Sequence, residues 1–211
     1  MNCLPAFLPL KNRYYVMRHG HSLANELGII VSRAENGISA YGLSPLGQSQ
    51  VNGAIRADIP VDDKTLIISS DFKRARETAD RVHDLLKSKT PVRFDPRLRE
   101  RDFGNYELST AKNYERVWLE DKSSADNCLE GVESPNQVMR RVTGLVSELE
   151  SEFSGASLLL VSHGDTLQIL QTAFQQQEAS SHRSQPHLET AEIRLLQMNS
   201  RQSAILAKAG D

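Results

Sequence analysis

The sequence predicts an α/β fold with parallel strands, and two patterns lead to that prediction. Short runs of β-prone, apolar residues occur at 14–17, 65–70 and 157–161, each of a length suited to a buried strand. Between and after them lie segments with apolar residues at helical spacing, the clearest at 73–86 and 137–153. Strands that alternate with helices along a chain are typical of a parallel sheet covered by helices.

The individual elements are predicted from their local patterns. Strands are expected at 14–17, 65–70, 91–94 and 157–161, and helices at 45–55, 73–86, 111–121, 137–153 and 166–176. Ser70 or Asp71 is the expected N-cap of the helix at 73–86. Residues 193–198 and 204–207 predict a terminal hairpin. Two prolines interrupt residues 1–11, and a charged start is missing, which predicts a mobile arm rather than a signal peptide.

The composition predicts a cytoplasmic enzyme of ordinary globular type. A length of 211 residues suits one domain spanning 1–211, with 105–135 as a cap or specificity region. The net charge is −2, so no basic excess points to nucleic acid, and no apolar run approaches the length that spans a membrane. Cys3 and Cys128 are isolated, which indicates neither a disulfide framework nor a zinc site.

Two of the predicted strands end in the same short motif. Arg18, His19 and Gly20 follow the first strand, and His163 with Gly164 follows the strand at 157–161. Ligands of open α/β sheets bind beyond the carboxyl ends of the strands. If these strands are neighbours, both imidazoles face one pocket. Each glycine would let the backbone approach a ligand closely or adopt a positive φ.

A third element points to the same pocket. The strand at 65–70 leads into the helix at 73–86, and Arg74 falls in the first turn of that helix. Free N–H groups and the helix dipole favour an anion at such a position, and arginine suits the forked hydrogen bonding of phosphate oxygens. Lys73 and Arg76 are expected to be solvated. Together these residues predict chemistry on an anion, most simply a phosphoryl group.

With these residues in place, the chain resembles the histidine phosphatase superfamily, in its phosphoglycerate mutase-like branch. Four segments carry the resemblance, in the order of the family: Arg18-His19-Gly20 with Ser22 and Asn25, residues 69–79, residues 98–104, and residues 161–164. Residues 42–48 also resemble the turn into the family's first long helix. His21, Asp71 and the pair Glu107-Leu108 depart from the common pattern, but none of them removes a residue of the phosphate pocket.

The resemblance implies a three-layer α/β/α fold with a mostly parallel central sheet. It also implies a metal-independent phosphomonoesterase that acts on a small phosphorylated metabolite through a phosphohistidine, without a cofactor. His19 would be the nucleophile, with Arg18, Arg74 and His163 balancing the phosphoryl charge. The expected substrate-binding residues are Ser22, Asn25 and Gly164. Glu100 is the expected proton donor, with Asp102, Glu107 and Asp165 as competitors.

Several further functions are compatible with the same motifs. The family includes mutases with a paired-arginine motif, but Arg140 and Arg141 lie inside a predicted helix and are not equated with that pair. A protein phosphohistidine phosphatase and a non-catalytic phosphate-binding module also fit the motifs. His182, Arg183 and His187 belong to a loop that either borders the pocket or is purely structural.

The guanidinium groups of Arg18 and Arg74 are expected near His19 and should disfavour its protonation.

Overall fold

A five-stranded sheet forms the centre of the molecule. The computed structural model describes residues 2, 4, 10–55 and 59–198. The strands are β1 (Arg13–Arg18), β2 (Leu66–Ser69), β3 (Arg93–Phe94), β4 (Ser157–Ser162) and β5 (Ile193–Leu196), in the order β3-β2-β4-β1-β5. The pairs β1–β4, β2–β4 and β2–β3 are parallel, and β5 runs antiparallel to β1. The prediction of a mostly parallel sheet is therefore confirmed.

Seven α-helices accompany the sheet in the described part of the chain. They are α1 (Leu23–Leu27), α2 (Ala34–Gly37), α3 (Pro45–Ala54), α4 (Lys73–Leu86), α5 (Asn113–Asp121), α6 (Pro135–Glu152) and α7 (Gly164–Phe174). Short 3-10 turns lie at Pro96–Leu98, Gly104–Tyr106, Leu129–Gly131 and Ala179–Ser184. Helix α6 begins two residues before the predicted position because Ser134 is its N-cap, in a capping box with Gln137, and Pro135 is its first residue.

The N-cap prediction for α4 is wrong. Phe72 occupies that position and makes no side-chain cap. Ser70 instead accepts the N–H of Phe72 and contacts His163, at 3.2 and 2.9 Å. The carboxylate of Asp71 is paired with Arg99 at 2.6 Å. Ser70 and Asp71 therefore bind other residues instead of capping α4, and sequence spacing does not reveal those contacts.

Alternate residues of the strands pack on opposite faces of the sheet. Tyr14 and Val16 lie in a core with α6 and α7, while Tyr15 and Met17 lie in a second core with α3 and α4. Period-two alternation sends successive side chains to opposite faces, and both faces of a parallel sheet are usually buried. The predicted three-layer α/β/α arrangement is confirmed.

A third, smaller core lies beside these layers. Ile30, Phe103, Val117 and Val132 pack together, with Tyr114 against them. This cluster holds α5 and the segment around it, which belong to the predicted 105–135 region. This small apolar cluster therefore packs the 105–135 region against the rest of the protein.

Gly20, in the first motif, lies at a close contact between two segments of the backbone. A Cβ on Gly20 would lie 2.7 Å from the carbonyl oxygen of Gly47 in α3, and one on Gly47 would lie 2.0 Å from the carbonyl oxygen of His21. Neither Gly20 nor Gly164 has a positive φ. Of the two alternatives predicted for these glycines, a positive φ is therefore not found, and Gly20 permits the close approach of the loop after β1 to helix α3.

The predicted terminal hairpin is only partly described. Residues 193–196 form β5 and pair with β1, whereas the second half of the hairpin at 204–207 lies outside the described residues. Most of the predicted arm at 1–11 also lies outside them. Among the helices that the structure describes, none has the length and apolar character needed to cross a membrane.

Candidate active site

A cavity of about 200 Å³ opens at the carboxyl ends of β1 and β4. It is lined by Arg18, His19, Ser22, Ala24, Asn25, Ile29, Val31, Arg74, Glu100, Tyr114, Trp118, Gly164, Asp165, Arg183 and His187. All the predicted site residues but His163 are among them. His163 is fully buried behind the lining, with its ring centroid 5.1 Å from that of His19.

The strand register brings the two histidines together. Arg18 of β1 pairs with Ser162 of β4, and the N–H of His19 donates to the carbonyl of Ser162 at 3.0 Å. The two parallel strands therefore end at the same level. The prediction that His19 and His163 meet at one sheet edge is confirmed.

His19 presents an unprotonated nitrogen. Its Nδ1 lies 2.8 Å from the carbonyl oxygen of Gly20, which can only accept, so the ring proton sits on Nδ1 and Nε2 keeps its lone pair. The Nε–H of Arg74 donates to that Nε2 at 3.1 Å. Burial lowers the pKa of His19 well below its usual value, and the charges of Arg74 and Arg18 add to this. Burial, which the sequence did not reveal, is the larger cause.

Two arginines line the cavity, each with a buried donor that has no partner among the residues the structure describes. Arg74, on the first turn of α4, donates through Nη2 to the carbonyl of Val31 at 2.9 Å, and its buried Nη1 has no partner among the described residues. Arg18 donates through Nη1 to the carbonyl of Leu188 at 2.9 Å, and its buried Nε is also without one there. Unsatisfied buried N–H groups are costly, and an anion in the cavity would satisfy them.

His163 also keeps one ring nitrogen without a protein partner. Its Nε2 lies 2.9 Å from the hydroxyl of Ser70, and its buried Nδ1 has no partner in the described part of the chain. The hydroxyl of Ser70 accepts from Phe72 and can donate its own proton to Nε2. When it does, the proton of a neutral His163 sits on Nδ1. Burial is the main cause that lowers its pKa well below the usual value.

Glu100 is a buried carboxyl beside these cations. Its Oε1 accepts from the N–H of Arg101 at 3.0 Å, and from the N–H and hydroxyl of Thr166 at 3.2 and 3.1 Å. Burial raises its pKa, the charge of Asp165 raises it further, and Arg74 opposes both. A carboxyl that retains its proton at a higher pH is suited to act as an acid.

Two competitors for the acid role lie outside the cavity. Asp102 accepts from Arg33 at 3.2 Å and from the N–H of Gly104 at 2.7 Å. Glu107 accepts from the N–H and hydroxyl of Ser32 at 2.8 and 2.7 Å. Their contacts give both carboxylates structural roles in the loops that follow α1 and β3.

The third competitor, Asp165, lines the cavity but is already bound on both oxygens. The indole N–H of Trp118 donates to them at 2.9 and 3.0 Å, and Arg101 lies 3.3 Å from one of them. The buried Arg101 is in turn held by Asp121 at 2.5 and 2.8 Å. Trp118 and Arg101 therefore hold Asp165 in place, and its charge contributes to the raised pKa of Glu100.

Ser22 and Asn25 bind each other in a capping box on α1. The hydroxyl of Ser22 donates to Oδ1 of Asn25 at 2.9 Å, and the N–H of Asn25 donates to Ser22 Oγ at 3.3 Å. Ser22 is fully buried, whereas Asn25 is exposed at the cavity wall. Asn25 is therefore better placed to meet a ligand, and Ser22 holds it in place.

The outer wall contains residues whose role the sequence left open or missed. Arg183 lies 3.6 Å from the ring centroid of Trp118, and Tyr114 stacks on the same indole at 5.4 Å. His187 lies 2.6 Å from Nη1 of Arg18. The loop with Arg183 and His187 therefore borders the cavity. Tyr114 and Trp118 are four residues apart on α5, and this spacing was the sequence pattern that could have predicted the opposite wall of the cavity.

A larger cavity of about 710 Å³ shares Glu100 but not His19. Its arginines are already paired: Arg33 with Asp102, Arg99 with Asp71 and Arg141 with Glu133. The larger cavity is therefore not the candidate site, because Arg18, His19 and Arg74 line the smaller one. Within the described ranges, no group of three or more His, Cys, Asp or Glu is arranged to hold a metal ion.

The mostly parallel sheet, the two histidines at its edge and the arginines beside them form an α/β protein with a cavity whose N–H donors suit an anion such as a phosphoryl group. The sequence profile of the histidine phosphatase superfamily (branch 1) matches residues 14–209, and the chain belongs to this superfamily. The family predicted from the four motifs is thus confirmed.

Named relatives include phosphatases from two bacteria. A protein of Hydrogenobacter thermophilus, provisionally named phosphoserine phosphatase 2, is 32% identical over 74% of each chain. The adenosylcobalamin/alpha-ribazole phosphatase of Escherichia coli is 28% identical over 75% of this chain and 76% of its own. Among solved structures, a mycobacterial glucosyl-3-phosphoglycerate phosphatase in complex with VO3 superimposes with a TM-score of 0.71. It is 26% identical and covers 87% of this chain and 90% of its own.

Proposed function

We propose that this protein is a phosphatase that hydrolyses a small phosphorylated metabolite through a phosphohistidine on His19, without a metal ion. The observation that carries the proposal is the unprotonated Nε2 of His19 in a cavity with Arg18 and Arg74, beside the raised-pKa carboxyl of Glu100. The relatives named above are phosphatases of small phosphorylated compounds, which supports the same substrate class.

In the first step, Nε2 of His19 attacks phosphorus in line. The N–P bond forms as the bond from phosphorus to the ester oxygen breaks, and Glu100 gives its proton to that oxygen. Arg74, which donates to Nε2 in the resting site, must turn its N–H groups to the phosphoryl oxygens. Arg18 and the Nδ1–H of His163 would balance the rest of the negative charge.

In the second step, a water molecule replaces the alcohol. The Glu100 carboxylate takes a proton from this water while the water oxygen attacks phosphorus. The N–P bond breaks, its electron pair returns to Nε2, and inorganic phosphate is released. Both groups are then back in their starting protonation states, as a catalytic cycle requires.

Trapping the intermediate tests this function. Wild-type protein quenched during turnover should carry phosphate that is labile in acid, and His19→Ala should carry none and should lose turnover while it remains folded. A chelator such as EDTA should leave the rate unchanged, because arginine and histidine supply the positive charge. Substantial activity in His19→Ala, or activity that requires an added divalent ion, would contradict the proposal.

The geometry gives no support to a mutase. Arg140 and Arg141 lie inside α6, as predicted, and Arg141 binds Glu133 and the carbonyl of Arg97 rather than the cavity. The expected cytoplasmic location and the single domain spanning 1–211 stay predictions.

A further inference from the structure

The outer part of the catalytic cavity holds a cation that the proposed chemistry does not use. Arg183 lies on the 3-10 turn Ala179–Ser184 and lines the same cavity as His19. The phosphoryl group is already served by Arg18, Arg74 and His163. A substrate whose phosphorus faces His19 must place its leaving group against the rest of the lining, which includes Arg183, Trp118 and Tyr114 as well as Asn25, Asp165 and His187.

The aromatic wall is not available for stacking a base. Trp118 already has Arg183 3.6 Å from its ring centroid and Tyr114 stacked at 5.4 Å with an interplanar angle of 11°. Tyr114 also meets Phe103 edge-on at 4.7 Å. These contacts fix the rings and occupy their stacking surface. The rings therefore leave polar groups to bind the leaving group, and the guanidinium of Arg183 is a cationic donor among them, beside Asn25 and His187.

The charge of Arg183 is only partly balanced by the protein. Its hydrogen-bond partner among the described residues is the neutral amide oxygen of Gln168, reached through Nη1. The nearest carboxylate, Asp165, lies 3.7 Å away, and its oxygens also serve Trp118 and Arg101. A guanidinium has five N–H donors in a planar fork that matches a carboxylate. Burial and the charge of Arg18 lower the pKa of Arg183, which an anionic ligand would reverse.

The size of the cavity limits what such a ligand can be. Sites that hold drug-sized ligands usually measure about 300–1,000 Å³, and this cavity measures about 200 Å³. A phosphoryl group fills part of that space. The remainder suits a leaving group of a few carbon atoms.

We propose that Arg183 binds a carboxylate on the leaving group, so that the substrates are small phosphate esters of hydroxy acids. This inference rests on the proposed phosphatase function, because it places the phosphoryl group at His19. It names a specificity residue and a substrate class for the same cavity.

A matched pair of esters tests the proposal. 3-Phosphoglycerate and glycerol 3-phosphate share a three-carbon skeleton and differ in ending in a carboxylate or a hydroxymethyl group. Wild-type kcat/KM should favour the carboxylate ester by about tenfold or more. Arg183→Gln should lower this preference by about 10- to 100-fold, mainly through KM, since a hydrogen bond to a charged group is worth about that much. Arg183→Lys should keep part of the preference.

The control is Arg116→Gln, which removes an exposed arginine of α5 that does not line this cavity. It should leave the preference unchanged. An equal kcat/KM for the two esters, a preference unaltered in Arg183→Gln, or faster hydrolysis of a nucleoside monophosphate would overturn the proposal.

A binding measurement separates this inference from the phosphatase function. Calorimetric titration of His19→Ala with each ester needs no turnover and does not depend on the folding of an Arg183 variant. Tighter binding of 3-phosphoglycerate than of glycerol 3-phosphate supports the carboxylate subsite even if wild-type protein hydrolyses neither ester. Equal binding of both overturns it even if hydrolysis is fast.

Discussion

At the residue scale, Arg74 and Glu100 illustrate two contributions that can be separated. In the proposed mechanism, Arg74 offers charge and a buried N–H to the phosphoryl oxygens, whereas Glu100 offers a proton to the leaving oxygen. Both are buried in the same cavity and line it from different elements. Substrates that differ only in their need for a proton should therefore tell the two residues apart.

Arg74→Ala should slow all substrates alike, by about 10²–10³ in kcat, the usual cost of losing one preorganised donor. It should also weaken inhibition by inorganic phosphate. Glu100→Gln keeps an oxygen for the donors of Arg101 and Thr166 but removes the proton. It should slow an alkyl ester far more than p-nitrophenyl phosphate, whose phenolate leaves without a proton.

The measurement is the rate of the phosphorylation half-reaction with each ester, together with the inhibition constant of phosphate. Phosphate inhibition should be nearly unchanged in Glu100→Gln. An equal slowing of both esters in that variant would show that Glu100 is not the acid, and Asp165 would be the next residue to test because it lines the cavity.

At the element scale, the loop after β1 depends on contact with α3. Gly47→Ala would place a Cβ 2.0 Å from the carbonyl of His21, so the loop that carries His19 must shift. We expect a lower free energy of unfolding and lower activity. Gly53→Ala, in the same helix, meets nothing within 4 Å and should stabilise by about 0.5–1 kcal/mol.

Urea unfolding and activity assays on the two alanine variants check this contrast. Since Gly47 and Gly53 share one helix, any difference between the variants reports the contact and not helix propensity. If both variants were stabilised, the close approach of loop and helix would not be required for the fold.

The sequence reveals the elements better than the contacts between them. The strands and the helix at 73–86 follow from hydrophobic period, and β1 and β4 were correctly paired because both end in the same motif. The role of Ser70 at His163 and of Gly20 at Gly47 depends on packing between distant segments. Those contacts leave no local pattern, so the N-cap and the positive φ were predicted in their place.

The site shows the same division. His19 and Arg74 could be predicted from their motifs, and Glu100 from its place in the family resemblance, and the structure brings the three to one cavity. The position of Arg183 at the cavity was left open, because it depends on a contact with Trp118 from another element. The larger cause of the lowered pKa of His19 could not be predicted either, because it is burial, which appears only after the chain is folded.

At the scale of the whole molecule, three buried neutral histidines should make the fold sensitive to acid. The pKa values of His19, His163 and His182 are lowered on folding, while those of the unfolded chain are about 6.5. Below that pH the unfolded state binds more protons, so stability falls as the pH falls. Glu100, whose pKa is raised, acts in the opposite direction but is one group against three.

The free energy of unfolding should be lower at pH 5.5 than at pH 7.5, by up to about 1.4 kcal/mol per pH unit for each histidine. Denaturant titrations at the two values measure it. His182→Asn offers an amide that can replace the Nδ1–H bond to Ala179, 3.0 Å long in the protein. That variant should flatten the dependence. Equal stability at the two pH values would contradict the charge argument.

Trp118 is the chain's single tryptophan, and it stands in the wall of the cavity. Its emission is therefore a built-in optical signal of occupancy that requires no label. A ligand that draws Arg183 away from the indole, or disturbs the indole N–H bond to Asp165, must change the ring's surroundings. Titration of His19→Ala with 3-phosphoglycerate should shift the fluorescence more than titration with inorganic phosphate, and an identical response to both would show that the signal does not sense the outer wall.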